Sequence, residues 1–217
     1  MRRKSVPPIK ARSLTKSKTM KNSYEKELPQ GYEETLHINA GDKKTGLIFN
    51  AVALLPMAVV AVIVVLTKRD DPHWFWQIGL FGVGVLVYTV LHELVHGIAY
   101  KALTGQKLTF GLKWSCAFCG VPEVYVYRQT ALIALLAPFT VFSLVLLPTA
   151  VVLGVIGSPF YLSVGLLFGM HLGGCCGDLY MAGLLGFKYR DGDVLVRDTG
   201  PEQWLYVKNK KETKLCQ

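Results

Sequence analysis

Charge is scarce in this chain and unevenly placed. Asp, Glu, Lys and Arg make up 18% of the 217 residues against 51% hydrophobic, and the apolar residues are gathered in long blocks. That composition points to a membrane protein. Four blocks of about 20 residues each, the length needed to cross the hydrocarbon core, leave little chain for a soluble domain and no room for an appended substrate-selecting domain of the PDZ kind. Acids are missing altogether from residues 1–22, where Arg2, Arg3, Lys4, Lys10, Arg12, Lys16, Lys18 and Lys21 stand. The formal net charge of +9 comes mostly from such tails and loops, which suits an anionic cytoplasmic leaflet and not nucleic acid.

Other absences narrow the reading further. No small-residue cleavage site follows the basic start at the distance a secretory signal requires, so the first apolar block is expected to remain as a span. Five cysteines, an odd number, do not outline a disulfide framework. Cys116 and Cys119 form a CxxC without a second pair at zinc-site spacing, which reads as two turn cysteines in a reducing compartment. Spans one and three carry no ionisable residue, which argues against a channel or transporter path. No internal repeat is visible.

The blocks themselves predict an all-α polytopic membrane protein of about four transmembrane helices, with a short β-hairpin-like segment between spans two and three. Residues 1–45 are basic, polar and without periodicity, and are expected to be a largely disordered cytoplasmic tail. Residues 46–186 form the four-span domain, with spans at about 46–66, 75–103, 131–156 and 160–185, and residues 187–217 form a polar basic tail. Pro138 and Pro148 are expected to kink span three, and Trp74 and Trp76 mark an interface. Between spans two and three, Leu108, Phe110, Leu112 and Trp114 alternate with polar or small residues, and Glu123 to Arg128 alternates again. Two strands joined by a turn around Cys116 to Pro122 are predicted, with Pro122 marking the second as an edge. The basic residues place both termini in the cytoplasm, in the cell membrane.

Span two contains His92-Glu93-Leu94-Val95-His96. On a helix, residues four apart differ by about 40° in direction and about 6 Å in height, so the two imidazoles share a face and can grip one metal ion. With five His and eight Glu, an HExxH arises by chance about 0.004 times in this chain. Ionisable groups inside an apolar helix must also find partners that offset desolvation. Zn2+ suits two neutral imidazoles plus one further ligand, with a fourth position left for water. Glu93 is placed as the catalytic base for that water.

Helix rise puts His92 to His96 roughly 25 Å below an outer boundary near Trp76, and Asp178 of span four roughly 27 Å below Phe160. Polar residues of two spans thus fall at one level, which makes Asp178 the expected third ligand beside His92 and His96. His171 lies about 10 Å away from Asp178 along a regular helix, but Gly173, Gly174 and Gly177 permit a break that keeps His171 a candidate. Cys175, Cys176, Glu123 and water are further alternatives. His37 and His73 lie at the wrong depth.

The stretches LHELVHGIAYKALTG, from Leu91 to Gly105, and HLGGCCGDLYMAGLL, from His171 to Leu185, resemble the membrane zincins of the site-2 protease type. The closer resemblance is to a bacterial family of zincin peptidases of unknown function. It implies HExxH in one span and an aspartate ligand from a later, small-residue-rich span, a position that Asp178 matches. Asp178 is followed by Leu179 and not by Gly, so the resemblance to the site-2 proteases is partial. Residues and resemblance together predict an integral-membrane zinc metalloendopeptidase acting on membrane-bound or juxtamembrane peptides near the cytoplasmic face. The alternatives are a non-proteolytic metal-binding membrane protein and a pseudoprotease acting as an interaction partner. Glu93 favours the enzyme, because a mere metal holder has no use for it. Substrate identity and oligomeric state have no signature in the sequence.

Overall fold

The structure, a computed structural model, describes residues 23–67, 74–190 and 192–209. The basic segment 1–22, the connector 68–73 with His73, and residues 210–217 with Cys216 lie outside the described residues. In chain order the elements are β1 (Tyr24–Glu25), β2 (Tyr32–Asn39), α1 (Lys43–Thr67), α2 (Trp74–Thr104), β3 (Thr109–Leu112), β4 (Ala117–Gly120), β5 (Tyr125–Tyr127), α3 (Arg128–Val155), α4 (Tyr161–Gly174), α5 (Cys176–Gly183), a π-helical turn (Leu184–Lys188), β6 (Val194–Asp198) and β7 (Glu202–Lys208). Four helical stretches, Lys43–Thr67, Trp74–Thr104, Arg128–Val155 and Tyr161–Lys188, are long and apolar enough to cross a membrane.

The fourth stretch is the least apolar and the most enclosed of the four, because α4 packs against α1, α2 and α3. Its face towards α1 is built from Gly165, Gly169 and Gly173. A Cβ at Gly165 would lie 2.6 Å from a methyl of Val64, one at Gly169 would lie 2.9 Å from Val60 Cβ, and one at Gly173 would strike the backbone oxygen of Ala53. The helix pair therefore lies close, with Val64 and Val60 seated on Gly165 and Gly169 and backbone meeting backbone at Gly173, the approach that small residues permit between apolar helices. At Cys175 the stretch breaks, with φ −80° and ψ 0°, and a new helix begins at Cys176.

An antiparallel sheet of order β1-β5-β6-β7-β2 closes one end of the bundle. Its apolar face, with Val126, Val194, Val196 and Leu205, packs on Tyr100 of α2, Ala131 and Leu135 of α3 and Met181 and Leu185 near the end of the fourth stretch. The fold is thus helical with a sheet, and the all-α expectation is corrected. Two segments read from sequence as polar tails supply four of the five strands. Leu36 and Ile38 of β2 pack against the cluster, and β2 pairs with β7 over the register Tyr32 to Lys208 through Asn39 to Glu202. Backbone pairing across such a separation leaves no local pattern, and a sheet buried on one face needs few apolar residues per strand.

The predicted hairpin also changes partners. β3 pairs with β4, Thr109 opposite Gly120 and Leu112 opposite Ala117. The 123–128 run, expected as an edge beside Pro122, is β5 and lies between β1 and β6 in the larger sheet. Pro122 precedes the ladder, so its missing N–H removes no bond from it. The hairpin docks where Gly120 meets the β6–β7 turn at Gly200, whose φ of +100° only glycine adopts easily. There the Val121 N–H donates to the Asp198 carbonyl at 2.8 Å.

Replacing Gly173 by Leu is expected to destabilise the protein by about 1–3 kcal/mol, the usual penalty for overpacking, read as a lowered unfolding temperature in detergent. Gly183→Ala, where a Cβ would meet nothing within 4 Å, is expected to leave that temperature unchanged. Equal effects from the two would contradict the close α1–α4 approach.

Candidate metal centre

His92 and His96 lie one turn apart on α2, both buried, with ring centroids 4.9 Å apart. The break at Cys175 turns the next residues into a helix N-terminus, and Asp178 occupies its first turn, where a carboxylate is favoured by the exposed N–H groups. Asp178 Oδ2 stands 3.3 Å from His92 Nε2 and 3.3 Å from His96 Nε2. One ligand atom from each of the three residues lies within 4.8 Å of the others. Donors bound at about 2.0 Å in tetrahedral geometry sit about 3.3 Å apart, so the two imidazole–carboxylate separations are those of a zinc-sized site. Two imidazoles and a carboxylate are also a donor set that leaves one position open.

The far nitrogens fit the same purpose. His96 Nδ1 lies 2.9 Å from the carbonyl oxygen of Ala134 on α3. That carbonyl is free because the residue four positions on is Pro138, within the helix, and proline has no N–H to return to it. His96 Nδ1–H donates to this oxygen, so that in the neutral ring the lone pair is on Nε2, aimed at the cluster. His92 Nδ1 lies 2.8 Å from the hydroxyl of Tyr88, one turn earlier on α2.

The cluster opens into a cavity of about 180 Å³, lined by His92, Glu93, His96 and Asp178 together with Phe49 and Asn50 of α1. The β3–β4 hairpin forms another wall through Ser115 to Cys119. It is held there partly by Gly97, directly after His96, where a Cβ would come within 2.7 Å of Phe110. Cys116 and Cys119, read as turn cysteines, therefore border the site. Burial pushes both thiols up, Cys119 to about 12, which disfavours the thiolate a metal requires. Cys176 donates to the Phe49 carbonyl at 3.3 Å.

His171, the other histidine of the fourth stretch, is brought to Tyr88 and Ser143 and not to Asp178. Glu123 lies in the turn before β5 and is not part of the cluster. Asp198, the last residue of β6, lines the cavity and had no sequence signal because it ends a short strand far from the histidines in sequence. It accepts hydrogen bonds from Tyr100 Oη at 2.7 Å, Gln203 Nε2 at 3.1 Å and the Gly200 N–H at 2.8 Å. Burial pushes its carboxyl up to about 6 despite these donors. Tyr88, by contrast, could have been found from its i−4 spacing to His92 on the same helix face.

The bundle thus combines four helices long and apolar enough to cross a membrane with a His92, His96 and Asp178 cluster close enough to hold a metal ion. Residues 85–191 match a family model described as "Putative zincin peptidase". That match starts within α2 three residues before Tyr88 and runs past the π-helical turn, so it contains both arms of the cluster. It supports a zinc-dependent peptidase family, itself of unknown function. No curated protein and no solved structure matches the chain.

Replacing Pro138 by Ala returns an N–H that competes for the Ala134 carbonyl. A loss of up to about 10-fold in zinc affinity is expected, measured by chelator competition on the purified protein. Unchanged affinity would show that the freed carbonyl does not orient His96.

Proposed function

We propose that this protein is an integral-membrane zinc metallopeptidase of the site-2 protease type, with His92, His96 and Asp178 as metal ligands and Glu93 as catalytic base. The observation that carries the reading is the convergence of the two Nε2 atoms on the Asp178 carboxylate, each 3.3 Å from Oδ2, in a cavity that Glu93 also lines. His92, His96 and Asp178 would hold a zinc ion, which would supply Lewis acidity there. Glu93 takes the proton of the attacking water and passes it to the leaving amine. The walls of the bundle restrict bulk water and strengthen every charge interaction inside.

The substrates are membrane-bound or juxtamembrane peptides, cut near the cytoplasmic face. The large apolar side chains left exposed on α1, α2 and α3, such as Leu55, Leu86 and Val155, support contact with lipid. The strands flanking the helices gather at one end of the bundle, and the basic residues of the termini favour the cytoplasm for that end. β4 lines the cavity and, among the described residues, pairs with β3 alone. Its second edge is the place where an unwound substrate segment adds as a strand.

Glu93→Gln keeps shape and removes the base. Loss of peptide cleavage by about 10²–10⁴-fold, with zinc content retained, is expected in a cleavage assay on reconstituted protein. Cleavage at the wild-type rate by the Gln variant would leave a metal-binding protein without the proposed chemistry.

A further inference from the structure

Beneath the metal centre lies a second polar chain that joins three helices and touches no substrate cavity. Tyr88 of α2 stands 2.8 Å from His92 Nδ1 and 2.9 Å from His171 Nδ1 of α4, and His171 Nε2 stands 3.0 Å from Ser143 Oγ of α3. Tyr88 is 5% exposed and His171 is fully buried. The His171 ring is enclosed by Phe139, Phe142 and Phe168, with centroids 5.9, 6.0 and 6.2 Å away. Such a group must be satisfied by protein partners, because the alternative is an unpaired polar atom in an apolar interior.

Proton accounting along the chain leaves one arrangement compatible with a metal. If His92 uses Nε2 as a ligand, its single proton sits on Nδ1 and is donated to Tyr88 Oη. The tyrosine's own proton must then go to His171 Nδ1, since the other neighbour, Cys175 Sγ, is 4.0 Å away and a weak acceptor. With Nδ1 accepting, the His171 proton is on Nε2 and is donated towards Ser143 Oγ, beside the Phe139 carbonyl. The opposite direction places the His92 proton on Nε2, pointing at Asp178, and removes the lone pair that a metal needs. The direction of this chain and the metal competence of His92 are therefore one property.

We infer that Tyr88, His171 and Ser143 are positioning residues that act through the Tyr88–His92 contact, holding His92 in its metal-binding tautomer. Both ring nitrogens of His171 are used within the chain, so it is not a ligand. The inference rests on the metal centre proposed above, and it assigns a function to the buried histidine that the peptidase chemistry leaves unused.

The test is zinc affinity by chelator competition, together with the cobalt(II) absorption spectrum, on the full chain in detergent. Tyr88→Phe keeps the ring and removes only the hydroxyl. It is expected to bind one zinc per chain at saturation with about 10–100-fold weaker affinity, and to keep the visible bands of a four-coordinate cobalt site. His171→Leu should behave in the same way. Ser143→Ala should weaken binding less, and Ser143→Thr, which retains a hydroxyl, should match the wild type. Unchanged affinity in both Tyr88→Phe and His171→Leu would overturn the positioning role while leaving the metal centre intact. Loss of stoichiometric metal in His171→Leu, with altered cobalt bands, would make His171 a ligand and overturn it differently. Failure of the wild type itself to bind zinc would remove the metal centre and this inference together, and would show before any variant was compared.

Discussion

A buried imidazole or carboxylate in an apolar bundle must have a partner for each of its polar atoms, and this constraint organises the structure. Two histidines and an aspartate meet where water is scarce, so their desolvation is offset only by one another, by a cation, or by hydrogen bonds arranged in advance. Each far nitrogen has its own solution. His96 takes a carbonyl that Pro138 has released from the α3 ladder, and His92 takes a tyrosine hydroxyl from its own helix. A proline that looks from sequence like a kink is also the source of an acceptor.

Bringing Asp178 to this pair requires a second departure from regular structure. The Gly165, Gly169 and Gly173 face lets α4 lie against the α1 backbone. The break at Cys175 then starts a fresh helix whose first turn presents the carboxylate. The sheet contributes from outside the bundle. Asp198 receives Tyr100 from one turn past His96, and the β6–β7 turn holds the β3–β4 hairpin over the cavity, so strands far apart in sequence fix one wall of the site.

Much of this was legible in the sequence where the signal is local. Four long apolar helices follow from apolar runs, and they begin and end within about three residues of the expected bounds. His92, Glu93 and His96 follow from helical spacing, and depth arithmetic pointed to Asp178, which the structure brings to 3.3 Å from both imidazoles. What was not legible is long-range. The strands within 24–39 and 194–208 have no strong alternation and acquire meaning only when paired in the sheet. The partner of β3 depended on which of two short runs turned back first. The roles of Ala134, Ser143 and His171 require knowing how α2, α3 and α4 face one another, which periodicity alone does not give.

The central claim is a zinc site built from α2 and the start of α5. Metal analysis of the detergent-purified protein, with His92→Ala and Asp178→Ala beside the wild type, tests it most directly. The account predicts one zinc per wild-type chain and most of that zinc lost in each variant. Stoichiometric zinc retained in the Asp178 variant, or none in the wild type, would contradict it.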